Sequence, residues 1–301
     1  MPDDGIEWIP RDEVLRFDEI VHLVSIFHSF GVNKFRLTGG EPTIRSDFPR
    51  LVSMIQGICP TIKLSMTTNG LLLSQQVEQY YNTGIRRINI SLDTLDSHKY
   101  KDISRRDAFE KVISGINAAM KYPFDEVKIN AVALRAFNMD ELEEFIDFSD
   151  RTGIEVRFIE FMPFNGNRWE LSNYISKKEM LEIISKNHTF ELVKNKDPAR
   201  TSTTYKIIGT NAKIGFIASV SESFCNLCNR LRITSIGNVR TCLHSPHEIK
   251  LHELIRSDVN DSSLRQKIRE GVLEKWEGHP EFRVGEYRPP VDDKSMILIG
   301  G

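Results

Sequence analysis

Along the first half of the chain the apolar residues change period again and again. Near residues 18–30, 47–58, 72–83, 107–121 and 139–151 they recur at helical spacing, and between these stretches lie short runs in which apolar and polar residues alternate strictly. A spacing of 3.6 marks one face of a helix and a spacing of two marks a strand. Helix and strand in alternation predict repeated βα units around a parallel sheet.

The strand runs depart from the usual parallel sheet, whose strands are covered on both faces and read as unbroken apolar stretches. Lys34, Arg36 and Thr38 oppose Phe35 and Leu37, and Lys63, Ser65 and Thr67 oppose Ile62, Leu64 and Met66. Farther on, Asn89, Ser91 and Asp93 oppose Ile88, Ile90 and Leu92, while Lys128 and Asn130 oppose Ile129 and Ala131. A fifth run, residues 155–161, mixes Arg157 and Glu160 into apolar neighbours. One face of the sheet is therefore polar throughout. The arrangement that satisfies it is a curved sheet with helices on its apolar face and a wet cavity on its polar face, a complete or partial barrel that holds a polar ligand.

Past residue 165 the rhythm breaks. Ser176-Lys177-Lys178-Glu179 is a capping box that opens a helix to about Lys186. Strand-like runs at 204–208, 213–220 and 231–234 then follow without helices between them, which predicts a smaller region that caps the barrel. The expected division is residues 1–165 for the barrel and 166–301 for the capping region.

The 301 residues carry a formal charge of −2, and no apolar run approaches the roughly 20 residues that span a bilayer. Neither nucleic acid nor a membrane is an expected partner. Cys225, Cys228 and Cys242 form Cys-x2-Cys-x13-Cys with Arg230, Arg232 and Arg240 threaded between them, a thiolate metal site by spacing, whereas Cys59 reads as a plain buried thiol. With His244 nearby, spacing alone leaves a Cys3His zinc site open beside an iron–sulfur cluster. So few cysteines, clustered in this way, point to a reducing, intracellular compartment. Two glycine turns end strands on the expected cavity side: Gly39-Gly40-Glu41-Pro42, where Glu41 can accept from an amino group, and Thr67-Thr68-Asn69-Gly70. Barrels place their chemistry in loops at this end of the strands.

Together with Ile90-Ser91-Leu92-Asp93, Arg157-Phe158-Ile159-Glu160, Met162-Pro163-Phe164 and the terminal Gly300-Gly301, these motifs resemble over the whole chain the GTP 3′,8-cyclases, the radical S-adenosylmethionine enzymes of the first step of molybdenum cofactor biosynthesis. The resemblance implies an α/β fold, a partial (β/α)6 radical SAM-type barrel with a C-terminal iron–sulfur region capping its cavity. It implies a 4Fe-4S cluster on Cys225, Cys228 and Cys242, GTP held by Arg36, Thr67, Lys128, Arg230, Leu231 and Arg232, and S-adenosylmethionine held by Gly39, Gly40, Glu41, Ser91 and Met162. Arg230, Arg232, Gly300 and Gly301 would assist catalysis. Cyclic pyranopterin monophosphate synthase would act next in the pathway, and the family commonly forms homodimers. Animal members are mitochondrial, and other members would be cytoplasmic.

One departure accompanies the match. In the family a Cys-x3-Cys-x2-Cys motif and the first barrel strand precede the stretch that matches Met1 to Gly5, so the barrel is expected to be N-terminally truncated and the chain alone inactive toward S-adenosylmethionine. Two other readings give different chemistry: a zinc-stabilised nucleotide-binding protein without catalysis, and a lyase or aldolase that uses Lys128 as a Schiff base.

Overall fold

A computed structural model describes residues 9–164, 167, 169–194, 197, 199–222, 224–257 and 260–278. The first half alternates as its pattern predicts: α1 (Phe17–Ser29), β1 (Lys34–Leu37), α2 (Phe48–Gln56), β2 (Lys63–Thr68), α3 (Leu73–Thr83), β3 (Ile85–Ser91), α4 (Ser97–Ser104), α5 (Phe109–Ala119), β4 (Glu126–Ala133), α6 (Leu142–Thr152) and β5 (Glu155–Glu160). After these come α7 (Lys177–Ile184), β6 (Phe190–Leu192), β7 (Thr203–Ile207), β8 (Lys213–Ile217), β9 (Arg232–Ile233), β10 (Val239–Arg240), α8 (His252–Arg256) and α9 (Asp261–Leu273). The capping box opens α7, with the Glu179 N–H donating to Ser176 Oγ and the Ser176 N–H to Glu179 Oε2.

Eight strands make one sheet in the order β1-β2-β3-β4-β5-β8-β7-β6. The pairs from β1 to β5 are parallel, and β8 pairs parallel to β5. The 204–208 and 213–220 runs, expected in a separate cap, are instead strands of the barrel sheet, and β8 supplies a sixth parallel strand. Packing decides this: Phe216 of β8 stacks on Phe158 of β5 at 6.2 Å, and both are fully buried. Only the third run lies apart, in the two-stranded β9–β10 ribbon.

Helices cover one face of the sheet. In α2, Phe48, Leu51, Val52 and Ile55 are buried at spacings of three and four, and full burial of Val52 and of Ile55 is worth about 1.5–3 kcal/mol each. They join Leu64, Met66, Ile88, Ile90, Ile129, Val156 and Ile214 in the main core, the apolar half of each alternating strand.

The sheet is strongly curved. A flat sheet of eight strands would hold its outer strands about 34 Å apart, and the five residues from Leu192 to Asp197 reach at most about 18 Å. Lys34 Nζ on β1 nevertheless meets Asp197 Oδ2, on the loop leaving β6, at 2.7 Å. The C-terminal elements dock onto α1, whose Leu23, Ile26 and Phe27 form a second core with Val239, Leu251, Leu264 and Ile268. The Leu15 N–H donates to the Ser235 carbonyl, and Arg256 Nε to Glu19 Oε1 at 2.9 Å, which fixes the cysteine-bearing segment beside the β1 edge.

Candidate functional site

Register arranges the polar face in rows. Arg36 pairs with Ser65, Ser65 with Arg87 and Arg87 with Glu126, while one row higher Thr67, Asn89, Lys128 and Glu155 run across β2 to β5. Higher still are Ser91, Asn130, Arg157 and Gly215. Gly215 is needed where it stands, because a Cβ there would come within 2.8 Å of Arg157 Cγ.

These side chains form a charged network. Lys128 Nζ lies 3.0 Å from Glu126 Oε1 and 3.5 Å from Glu155 Oε2, and Glu155 also accepts from Arg200 Nη2 at 2.8 Å and Thr204 Oγ1 at 3.2 Å. Burial pushes the Glu155 carboxyl up, but Lys128, Arg200 and Arg157 outweigh it and hold it below the ordinary carboxylate range. Burial likewise pulls the Lys128 ammonium below its ordinary value. Two carboxylates thus pair with Lys128 on the polar face.

Several guanidiniums of this region lie close to one another. Burial, opposed by Glu155 and reinforced by Arg36 and Arg200, lowers the Arg157 guanidinium to about 10. Burial with Arg230, Arg36 and Arg240 lowers Arg232 to about 10. Arg36 is lowered in turn by burial and by Arg230, although its side chain still reaches solvent, as expected of a group on the wall of an open cavity. Residues almost two hundred positions apart in the chain therefore share one field, and like charges held this closely favour an anionic ligand.

Arg157 Nη2 donates to Asn89 Oδ1 at 2.6 Å. Its Nε, the Asn89 Nδ2 and the Asn130 Oδ1 are buried yet have no hydrogen-bond partner among the described residues. Leaving such groups unmet costs about 1–3 kcal/mol each, so two donors and an acceptor on adjacent strands suit a polar ligand. Of these three only Asn89 and Asn130 were legible as cavity residues, from alternation; Arg157 sat in the strand whose pattern was least clean.

The loops after the parallel strands gather at one end. Gly39, with φ at 128°, needs the freedom of glycine, and no protein atom lies within 4 Å of a Cβ built on Gly39 or Gly40. Ser91 ends β3 at this edge, and Met162 follows β5 there. Glu41 does something other than expected. Its carboxylate accepts from the Thr43 N–H at 3.1 Å, Thr43 Oγ1 at 2.6 Å, Thr68 Oγ1 at 2.7 Å and the Asn69 N–H at 2.7 Å, so both oxygens are committed to joining the two glycine turns. Glu160 is similar: it accepts from the N–H groups of Lys177, Val220 and Ser221 and pins two segments to the end of β5.

Leu231 differs from its two neighbours, since its side chain packs into the second core and only its main chain remains for a ligand. Cys225 and Cys228 share one turn, with the Cys228 N–H on the Cys225 carbonyl, and Cys242 follows β10. All four cysteines are free thiols. Burial pushes the Cys228 thiol up, but hydrogen bonding from Arg230 and the charges of Arg230 and Lys275 bring it below its ordinary value, which favours the thiolate a metal needs. Among the described residues no three His, Cys, Asp or Glu come together as a single ion requires, and His244 stacks flat on Phe164 at 5.2 Å. Cys225, Cys228 and Cys242 are each half-buried, and Cys228 stands beside the cations of Arg230 and Lys275, an environment that suits a thiolate ligand. Gly300 and Gly301 lie outside the described residues.

Two family models cover this architecture: the Radical SAM superfamily matches residues 3–149, and Molybdenum Cofactor Synthesis C matches residues 154–281. A relative named "GTP 3′,8-cyclase, mitochondrial" from Arabidopsis thaliana is 36% identical over the whole chain and 76% of its own length. The chain belongs to the GTP 3′,8-cyclase family. The molybdenum cofactor biosynthesis protein moc-5 of Caenorhabditis elegans is 40% identical over all of this chain and 50% of its own, so the chain spans about half the length of that relative. Among solved structures, Streptococcus suis SuiB superposes with a TM-score of 0.57 at 15% identity, over 94% of this chain and 71% of that one, which shows the shared fold. Membership of this family agrees with the partial radical SAM barrel and with the polar cavity face.

Proposed function

We propose that the chain binds GTP in the barrel and serves the GTP 3′,8-cyclase reaction, which converts GTP to (8S)-3′,8-cyclo-7,8-dihydroguanosine 5′-triphosphate. The observation that carries this reading is the convergence of Arg36 from β1 with Arg230 and Arg232 from the cysteine segment, next to Cys228. A triphosphate supplies the anionic charge those guanidiniums need, through paired N–H···O contacts that suit arginine. Lys128 and Thr67 extend the same wall, and the unmet atoms of Asn89, Asn130 and Arg157 take further polar contacts.

Cys225, Cys228 and Cys242 would hold a 4Fe-4S cluster, which would supply an iron site for the nucleotide. Gly39, Gly40, Ser91 and Met162 would line the S-adenosylmethionine site, with Glu41 holding its two glycine turns in place. S-adenosylmethionine, where a reduced cluster cleaves it, would supply the radical for hydrogen abstraction at the ribose C3′. Three of the four cysteines lie in the C-terminal segment and Cys59 lies apart, so these 301 residues offer no thiolate trio for cleaving S-adenosylmethionine, and alone they bind GTP without turning it over. Within the pathway, cyclic pyranopterin monophosphate synthase would take the product, homodimers are the expected assembly, and the mitochondrial matrix is the compartment proposed for an animal source. No helix among the described residues is long and apolar enough to cross a membrane.

Anaerobic reconstitution with iron and sulfide, followed by calorimetric titration with GTP, tests the proposal. The expected product is brown and contains iron and sulfide rather than zinc; it binds GTP, and R232A or K128A weakens that binding roughly 10- to 100-fold, the loss of one charged hydrogen bond. A colourless zinc protein, or an iron-loaded one indifferent to GTP, overturns it.

A further inference from the structure

Lys275 stands two residues beyond the end of α9, and its ammonium points back into the cysteine segment. Nζ donates to the Arg230 carbonyl at 2.8 Å and lies 3.6 Å from Cys228 Sγ, within hydrogen-bond reach of a sulfur. Its backbone is fixed from both sides. Upstream, α9 buries Leu264 and Ile268 in the second core and packs so tightly on Ile249 that a Cβ at Gly271 would come within 2.3 Å of it. Downstream, the Trp276 ring meets His247 edge to face at 6.4 Å. The ammonium is delivered to the sulfur by a packed helix.

We propose that Lys275 is a positioning residue that sets the redox poise of the cluster held by Cys225, Cys228 and Cys242 and fixes the main chain of Arg230. This rests on the cluster assigned to those cysteines under the proposed function. A hydrogen bond from a cation to a ligating thiolate draws negative charge off the sulfur and stabilises the more negative, reduced cluster, so it raises the reduction potential. Arg230 Nη2, at 3.5 Å, donates to the same sulfur, but Arg230 also faces the nucleotide and cannot serve the thiolate alone. Through the Arg230 carbonyl the lysine also holds the strand entrance from which Arg230 and Arg232 project.

The test is an EPR-monitored redox titration of the reconstituted full chain as wild type, K275M and K275R, with iron and sulfide content measured for each. In K275M, which keeps the stem and loses the donor, the reduced-to-oxidised ratio at a fixed potential should fall about tenfold, equivalent to about 59 mV for one electron; K275R should keep the wild-type potential. If K275M loads no cluster, K275Q is titrated in its place and should lie below wild type. An unchanged potential in the loaded methionine or glutamine variant, or an equal drop in K275R, overturns the inference. A wild-type chain that takes up no iron and sulfide instead overturns the cluster reading beneath it.

Discussion

Glu41 Oε2 accepts the Asn69 N–H at 2.7 Å, which ties the turn after β1 to the turn after β2. With Thr68 and Thr43 also donating to this carboxylate, Glu41 has become the joint between two loops that the cavity needs in fixed relation. In E41Q an amide NH2 must face at least one of those donors, so the folded chain should lose about 1–3 kcal/mol in urea unfolding. A change within 0.5 kcal/mol, roughly the scatter of neutral surface substitutions, would show that the joint is dispensable.

Glu155 makes stability depend on pH. Its folded pKa lies below the ordinary value because Lys128, Arg200 and Arg157 outweigh burial, so its contribution is fully present above the unfolded value, about 4.3, and is lost as pH falls through the folded one. The stability difference between wild type and E155Q should therefore be large at pH 7 and shrink below about pH 4. A gap that widens on acidification would reverse the assignment.

Gly215 and Gly115 separate site effects from packing effects. A Cβ at Gly215 meets the flexible Arg157 side chain, whereas a Cβ at Gly115 falls 2.5 Å from the Gly70 carbonyl oxygen, where backbone cannot yield. G215A should weaken GTP binding by displacing Arg157 from Asn89 and should cost less stability than G115A, which should lose about 1–3 kcal/mol by forcing α5 off the second glycine turn. Calorimetry and thermal melts of both variants check the contrast, which fails if the two behave alike.

Arg232 is held near the guanidiniums of Arg230, Arg36 and Arg240, whose repulsion Cys228 offsets only in part. R232Q should leave the ligand-free chain as stable as wild type or up to roughly 2 kcal/mol more stable, while its affinity for GTP falls, the exchange expected where a binding site stores repulsion. Melting curves with and without GTP measure both halves. A strongly destabilised ligand-free R232Q would mean that the arginine is structural.

Much of this was legible in order along the chain. Alternation placed Arg36, Thr67, Asn89, Ser91 and Lys128 on one face of the sheet because side chains of a strand point to opposite sides with a period of two, a local rule that needs no partner. The capping box of α7 and the glycine at position 39 are local in the same sense.

What was not legible depended on distant partners. The run at β8 alternates like any amphipathic strand, and only the stack of Phe216 on Phe158 makes it the sixth parallel strand rather than part of a cap. Glu41 could be placed beside the cavity, but its partners Thr68 and Asn69 lie on the next repeat, and the Asn89–Arg157 bond joins residues 68 positions apart. Lys275 carried no signal, since a lysine after a helix is usually solvated.

By itself the sequence determined the βα rhythm, the polar and apolar faces and the thiolate trio, since each follows from spacing over a few residues, where backbone geometry dictates which way a side chain points. The tertiary structure alone decided that the sheet curls until Lys34 meets Asp197, that the cysteine segment docks on α1 so that Arg230 and Arg232 face Arg36, and that Glu41 holds loops together. Those outcomes rest on burial and charge pairing between distant segments, whose energies exist only once the chain has brought them together.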